Sequence, residues 1–239
     1  MICKLSVFIH SFALTKLLDI IVSLKRTMNE SDKPNTEQLI LQAAEEEFFA
    51  KGFGGARTTA IAEKAGVTHA MLHYYFRTKE QLFERIVTKN FSLLAQTVMA
   101  AMGDPRMPIV ERLKSGIASH FDFIAAHAQL PRFFLNEVLS RPEHYHILYD
   151  RIKEVGEKLF SSLQKEADQA AGRGEIERVD VRMLFVSILS LNIFPFIAYA
   201  FTEPLSGDLV GGVMADKEQY FAARKAENIE MIMRRIKKR

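Results

Sequence analysis

Apolar residues return at helical intervals from residue 39 onward. In "EQLILQAAEEEFFAKGF", Leu39, Ile40, Ala43, Ala44, Phe48 and Phe49 are spaced three and four apart, which predicts a helix with one buried face. Thr36 stands at its N-cap, and Lys51 with Gly52 at its close. Thr58 or Thr59 caps a second, short helix with Ile61, Ala62 and Ala65 on its inner side. Gly66 breaks it and Val67 begins a turn. Thr68 caps a third helix, in which Met71, Leu72, Tyr75 and Phe76 can face inward. A longer fourth helix, "TKEQLFERIVTKNFSLLAQTVMAAM", begins at Thr78 with Gln81 at capping-box spacing, and ends at Gly103, Asp104 and Pro105.

The same period continues to the end of the chain. It predicts helices near 108–127, 129–140, 144–171, 179–202 and 217–238, separated by short loops carrying Pro131, Pro142, Gly172, Gly174 and Pro204. The stretch "EPLSGDLVGGVMAD" is the one long irregular segment after the N-terminal arm. No alternating apolar–polar run and no Asn-Gly hairpin signal occurs. The fold class is all-α.

Composition narrows this only a little. The chain has 239 residues, 48% hydrophobic and 26% charged, enough for one or two domains with a real core. The single cysteine, Cys3, excludes an intramolecular disulfide framework and a cysteine zinc cage, so a reducing, cytoplasmic setting is expected. A net charge of +3 is too small to announce nucleic-acid binding and conceals unevenness: acid collects at Glu45, Glu46 and Glu47, base at Arg234, Arg235, Lys237, Lys238 and Arg239.

The first 27 residues differ in kind. Their apolar run is interrupted by Lys4, His10, Lys16 and Asp19, so it falls short of the roughly 20 clean residues of a membrane span. No small-x-small cleavage site closes it as a signal peptide. An amphipathic helix and upstream sequence translated in error both fit; the second is preferred, with Met28 as the start of the polar arm "MNESDKPNTEQ".

Two short helices joined by a tight turn with glycine form the geometry of a helix-turn-helix. Gly66 fits a backbone position of positive φ, and Ala62 and Ala65 allow close crossing. The third helix would then lie in a major groove. Its non-core positions, Thr68, His69, Ala70, His73 and Tyr74, carry groups that hydrogen-bond or touch a thymine methyl.

The run "ILQAAEEEFFAKGF…TTAIAEKAGVTHAMLHYYFRTKEQLF", Ile40 to Phe83, resembles the DNA-binding domain of the TetR family of bacterial transcriptional regulators. The likeness joins an alanine pair before an aromatic pair, Gly-Phe, Thr-Thr, Ile-Ala, Ala-Gly-Val, Tyr-Phe and Lys-Glu-x-Leu. It implies that Thr58 or Thr59 bonds a DNA phosphate, that Thr68 contacts phosphate or a base edge, and that His69 and Ala70 fall where bases are read. It places His73 where a tyrosine is commonest, Tyr74 at a second contact position, and Lys79 against a phosphate at the N-terminus of the fourth helix. Ala70 and His73 depart from the family pattern. Neutral histidine at 73 donates less to phosphate, so affinity is expected to weaken as pH rises through about 6.5. Among the residues nearby, Tyr75 and Phe76 are expected in the core, Glu45, Glu46 and Glu47 on a solvated face, and Arg57, Lys64 and Arg77 either as further backbone contacts or as plain solubilising charge.

The resemblance also implies three parts: an N-terminal extension and arm at 1–35, a three-helix DNA-binding domain at 36–83, and a larger helical domain at 84–239 for dimerisation and small-molecule sensing. The helices near 179–202 and 217–238 would pair with their twins. "VRMLFVSILSLNIFPFIAYAF" is apolar nearly all round, as burial against both its own domain and a partner requires, and Pro195 removes one of its hydrogen bonds. Phe121, His127, Phe133, Phe134, Phe160, Met183, Phe185, Asn192 and Phe194 either line a pocket for an apolar or aromatic ligand or are plain core. Asn192 either orients such a ligand or bonds across the dimer. Ligand binding would shift the fourth helix, respace the two recognition helices and release a near-palindromic operator, as in a repressor.

Other chemistry finds no footing. The seven histidines, at 10, 69, 73, 120, 127, 144 and 146, form no His-Glu-x-x-His pattern. No phosphate-binding glycine loop or Gly-x-Ser-x-Gly elbow is present. No catalytic residue, metal or cofactor is expected. The alternative is a helical ligand-binding or interaction protein with a degenerate DNA reader, held to membrane through residues 1–27.

Overall fold

The computed structural model describes residues 35–104, 106–202 and 216–237. Residues 1–34 and the expected irregular segment at 203–215 lie outside them. The elements are α1 (Thr36–Gly55), α2 (Thr58–Lys64), α3 (His69–Tyr75), α4 (Lys79–Met102), α5 (Ile109–Ala126) and α6 (Leu130–Phe134). A π-turn (Leu135–Leu139) and a 3-10 turn (Pro142–His144) follow, then α7 (Tyr145–Gly172), α8 (Val181–Thr202) and α9 (Lys217–Ile236). The described residues contain no strand. The helix expected at 129–140 is therefore two short pieces with different hydrogen bonding.

The helix starts obey capping chemistry, with two changes. Asn35, not Thr36, is the N-cap of α1; its side chain accepts from the Gln38 N–H while the Gln38 side chain accepts from the Asn35 N–H. Neither Thr58 nor Thr59 caps α2, whose N-cap is Arg57 without a side-chain bond. That end is served from α1, where Glu47 is buried and its carboxylate takes bonds from the Lys51 ammonium and the Arg57 backbone N–H, which hold its pKa below the usual value. Glu47 falls seven residues after Ile40, on the buried stripe, which is why it is not on a solvated face as expected. Glu45 and Glu46 are also engaged, Glu45 with Lys89 and Asn90 of α4, and Glu46 with Lys64 of α2.

Ile40, Ala44 and Phe48 of α1 pack with Ile61 and Ala62 of α2, Leu72 of α3, and Leu82, Phe83 and Ile86 of α4. Each fully buried aliphatic or aromatic side chain contributes roughly 1.5–3 kcal/mol from area removed from water. That core continues without a break into Phe133, Val138, Ile147 and Leu148, so the N-terminal helices rest on α6, the π-turn and α7. A second cluster joins Ile117 of α5, Leu184 of α8 and Ile232, Met233 and Ile236 of α9. Among the described residues one helical stretch, Val181–Tyr199, is long and apolar enough to cross a membrane, and 28% of it is buried.

Candidate nucleic-acid interface

The turn between α2 and α3 is built by its backbone. Gly66 has φ +67°, and no atom lies within 4 Å of where a Cβ would stand, so glycine is required there by conformation rather than by space. The Val67 N–H donates to the Ala62 carbonyl at 3.0 Å and closes α2. Thr68 Oγ1 accepts from the Met71 N–H at 3.1 Å and opens α3. Leu72 and Phe76, four residues apart, are the buried side of α3.

Tyr75 and Met71 are not in the core. Tyr75 is 42% exposed and Met71 is also exposed, because α3 has only two turns and meets the domain along the single line of Leu72 and Phe76. Tyr75 instead stands edge-on to Tyr74, ring centroids 5.4 Å apart, and Tyr74 is 82% exposed. His69, Ala70, His73 and Tyr74 all lie on the exposed side of α3, and Thr59 is exposed on α2.

The two histidines are organised. Thr58 Oγ1 lies 3.0 Å from His69 Nε2, joining the first residue of α2 to the first of α3. The rings of His69 and His73 meet edge to face at 4.4 Å. His73 Nδ1 donates to the Arg77 carbonyl at 3.2 Å. With Nδ1 protonated, the neutral ring can only accept at Nε2; the imidazolium alone can donate there. Thr78 Oγ1 accepts from the Gln81 N–H to cap α4. Lys79, the first residue of α4, holds its ammonium 4.7 Å from the centre of the Phe53 ring. Of the other expected cations, Arg57 and Arg77 are exposed and Lys64 is paired with Glu46 at 3.2 Å.

The nine residues expected around a pocket do not converge on one cavity. Phe121 packs on Phe196, and His127 stacks on Phe123 within α5 and its C-cap. Phe133 lies between Phe49 and Phe83, with Phe134 beside it, in the N-terminal core. Phe160 meets Phe185 across α7 and α8. Met183, Phe185 and Phe194 are exposed, Phe194 by 66%. An open cleft of about 520 Å³ between α7 and α8 is walled by Phe160, Gln164, Lys165, Asp168 and Arg182, and of the nine only Phe160 lines it.

Asn192 is fully buried and bonded inside its own chain. Its Nδ2 donates to the Ile117 carbonyl at 3.0 Å and lies 3.3 Å from His120 Nδ1, while its Oδ1 accepts from Asn228 Nδ2 at 3.1 Å. Asn228 Oδ1 accepts from Arg224 at 3.0 Å. Because the Ile117 carbonyl needs a donor, this orientation makes His120 Nδ1 an acceptor and puts its proton on Nε2. Burial lowers the His120 pKa to about 4, so the ring is neutral. His120 and Asn228 were open to detection as polar residues on apolar faces of their helices. No group of three or more metal-ligating side chains occurs among the described residues.

The sequence model for bacterial regulatory proteins of the tetR family matches residues 40–86, the segment that carries this helix-turn-helix. The uncharacterised HTH-type transcriptional regulator YdgC of Bacillus subtilis (strain 168) is 26% identical over 174 residues, 70% of this chain and 84% of that protein. The HTH-type transcriptional activator FasR of Mycolicibacterium smegmatis is 24% identical over 158 residues, 64% of this chain and 67% of that protein. A solved structure of a tetR-family bacterial regulatory protein from Rhodococcus RHA1 superposes with a TM-score of 0.62 at 22% identity, covering 85% of this chain and 97% of that one. A helix-turn-helix, a matching head sequence and a shared helical body agree: residues 40–86 form a DNA-binding segment of the TetR-family type, carried on a chain with the all-helical fold of the solved TetR-family regulators.

Proposed function

We propose that the chain is a homodimeric repressor that reads a near-palindromic operator through α3 and releases it when a small molecule binds the larger domain. The carrying observation for DNA reading is the face of α3: Thr68 caps it, Leu72 and Phe76 dock it, and His69, Ala70, His73 and Tyr74 are left outward. Thr58, Thr59 and Lys79 flank that face as phosphate contacts, and Lys79 adds its charge at a helix N-terminus. The head then corresponds to residues 36–83 and the regulatory part to 84–239, with α4 running through the boundary.

Dimerisation is supported by α8. Met183, Val186 and Phe194 are exposed along it, and Ser187 and Ser190 turn their hydroxyls back onto the Met183 and Val186 carbonyls, so the face is apolar. A second copy suits this face better than lipid, because the opposite side of α8 is locked into the protein by Leu184, Asn192 and Phe196. Two copies would read two half-sites. For the effector, the cleft beside Phe160 has a volume in the range of small-molecule sites, and its lining joins that ring to two cations, Lys165 and Arg182, against one acid, Asp168. This favours an aromatic compound bearing an anionic group over a purely apolar one.

A gel shift on DNA upstream of the chain's own gene, repeated across salt, tests the DNA reading; binding that never exceeds random DNA would sink it. Sedimentation of the same protein tests the dimer. A reporter in a deletion strain tests the sign: expression rises for a repressor and falls for an activator, the sense in which FasR is named.

A further inference from the structure

Phe53, at the end of α1 just past the kink at Gly52, has its backbone N–H held by a residue 84 positions away. Glu137 Oε2 accepts from it at 3.0 Å. Glu137 lies in the π-turn between α6 and α7, a rare backbone form that occurs frequently at functional sites. Its side chain is 12% exposed and also faces Arg141 Nε at 3.3 Å. The carboxylate is thus largely withdrawn from water, where a charge-assisted bond is stronger than at the surface.

The approach depends on Gly52. That residue has φ +67°, and a Cβ on it would overlap Glu137 Oε1. His144 completes the contact: its Nδ1 donates to the Glu137 carbonyl, and its ring packs 5.1 Å from Phe53 and 4.8 Å from Phe83. The Phe53 ring in turn carries the Lys79 ammonium at 4.7 Å. A continuous path therefore runs from Arg141 and Glu137 in the larger domain, through Phe53, to the first residue of α4.

We infer that Glu137 is a positioning residue for DNA binding, holding Phe53 so that its ring aims Lys79 at phosphate, and thereby coupling the head to the π-turn between α6 and α7. The inference rests on the reading of Lys79 as a phosphate contact. Any rearrangement of the π-turn that withdraws Glu137 leaves the Phe53 N–H without its acceptor and Lys79 without a fixed support. DNA affinity then falls with no change in any residue that touches DNA.

The test uses the full chain and a duplex selected by it from a random-sequence pool, with affinity measured from low to moderate salt. Glu137→Ala should weaken binding about three- to tenfold and flatten the salt dependence by about one phosphate contact. Lys79→Ala should give the same loss, and the double variant no more than either single one. Glu137→Gln, which keeps an acceptor oxygen for the Phe53 N–H, should recover most of the affinity. Phe53→Leu, which keeps the backbone bond but removes the ring, should reproduce the flattened slope even if Glu137→Ala fails to fold by circular dichroism. Additive losses in the double variant, a wild-type slope in Glu137→Ala or Phe53→Leu, or no recovery in Glu137→Gln overturns the coupling and leaves Lys79 as a contact. Wild-type affinity and slope in Lys79→Ala overturns the phosphate reading and the coupling together.

Discussion

The two ends of the molecule use apolar residues in opposite ways. In the head, large apolar side chains such as Phe48, Phe83 and Leu72 are buried, and apart from Met71 what α3 projects is polar, small or aromatic with a polar tip. In α8, the exposed face carries Met183, Val186 and Phe194, while a carboxamide, Asn192, is fully buried. The head turns its large apolar side chains into a core it shares with α6, the π-turn and α7, and presents hydrogen-bonding groups. A helix that presents an apolar face has left part of its burial to something else.

Phe48→Ala against Phe194→Ser separates these cases most sharply. Phe48 is fully buried, so its truncation should cost about 3–5 kcal/mol in denaturant unfolding. Phe194→Ser should leave the fold in place and shift sedimentation toward monomer. Equal destabilisation by both, with the same assembly state, would erase the distinction.

The buried polar cluster gives the next largest effect. His120 has a pKa of about 4 in the folded chain against 6.5 as its ordinary value. The unfolded chain therefore binds more protons between those values. The stability from keeping this ring neutral is full above pH ~6.5 and is lost as pH falls toward 4, by about 3 kcal/mol at most. Thermal unfolding of wild type and His120→Leu across pH 4–7 should show a component of the slope that the variant lacks.

Within the head, Gly66→Ala should cost about 1–2 kcal/mol from the left-handed backbone alone, since nothing crowds the position. A cost near that of Phe48→Ala would mean the turn is tighter than its surroundings indicate. The smallest effect concerns His73. With Nδ1 donating to the Arg77 carbonyl, Nε2 is the ring edge left for phosphate, so His73→Ala should weaken DNA affinity by only a few-fold. Unchanged affinity in both His73→Ala and His73→Tyr removes histidine 73 from the contact set.

Much of the head was legible because its order is local. The spacing of Ile61, Ala62 and Ala65, the positive φ at Gly66 and the Thr68 cap are decided within a few residues of chain. The failures there have a common cause. Glu47 reads as one of three surface acids, yet its bond to the Arg57 N–H across the α1–α2 loop makes it a buried cap. Tyr75 reads as a dock, yet a two-turn helix has room for only Leu72 and Phe76 against the core.

The nine expected pocket residues show the limit of helical spacing. It says that Phe121, Phe133 and Phe160 can face inward, but not that they face into three different environments.

Helix positions, the recognition turn and the outward face of α3 follow from periods, caps and one glycine, all of which act over a single turn of chain. The Glu137–Phe53 contact, the Asn192–His120–Asn228 cluster and the exposed side of α8 were decided by folding. Each depends on which residues distant in sequence become neighbours, and periodicity carries no record of that.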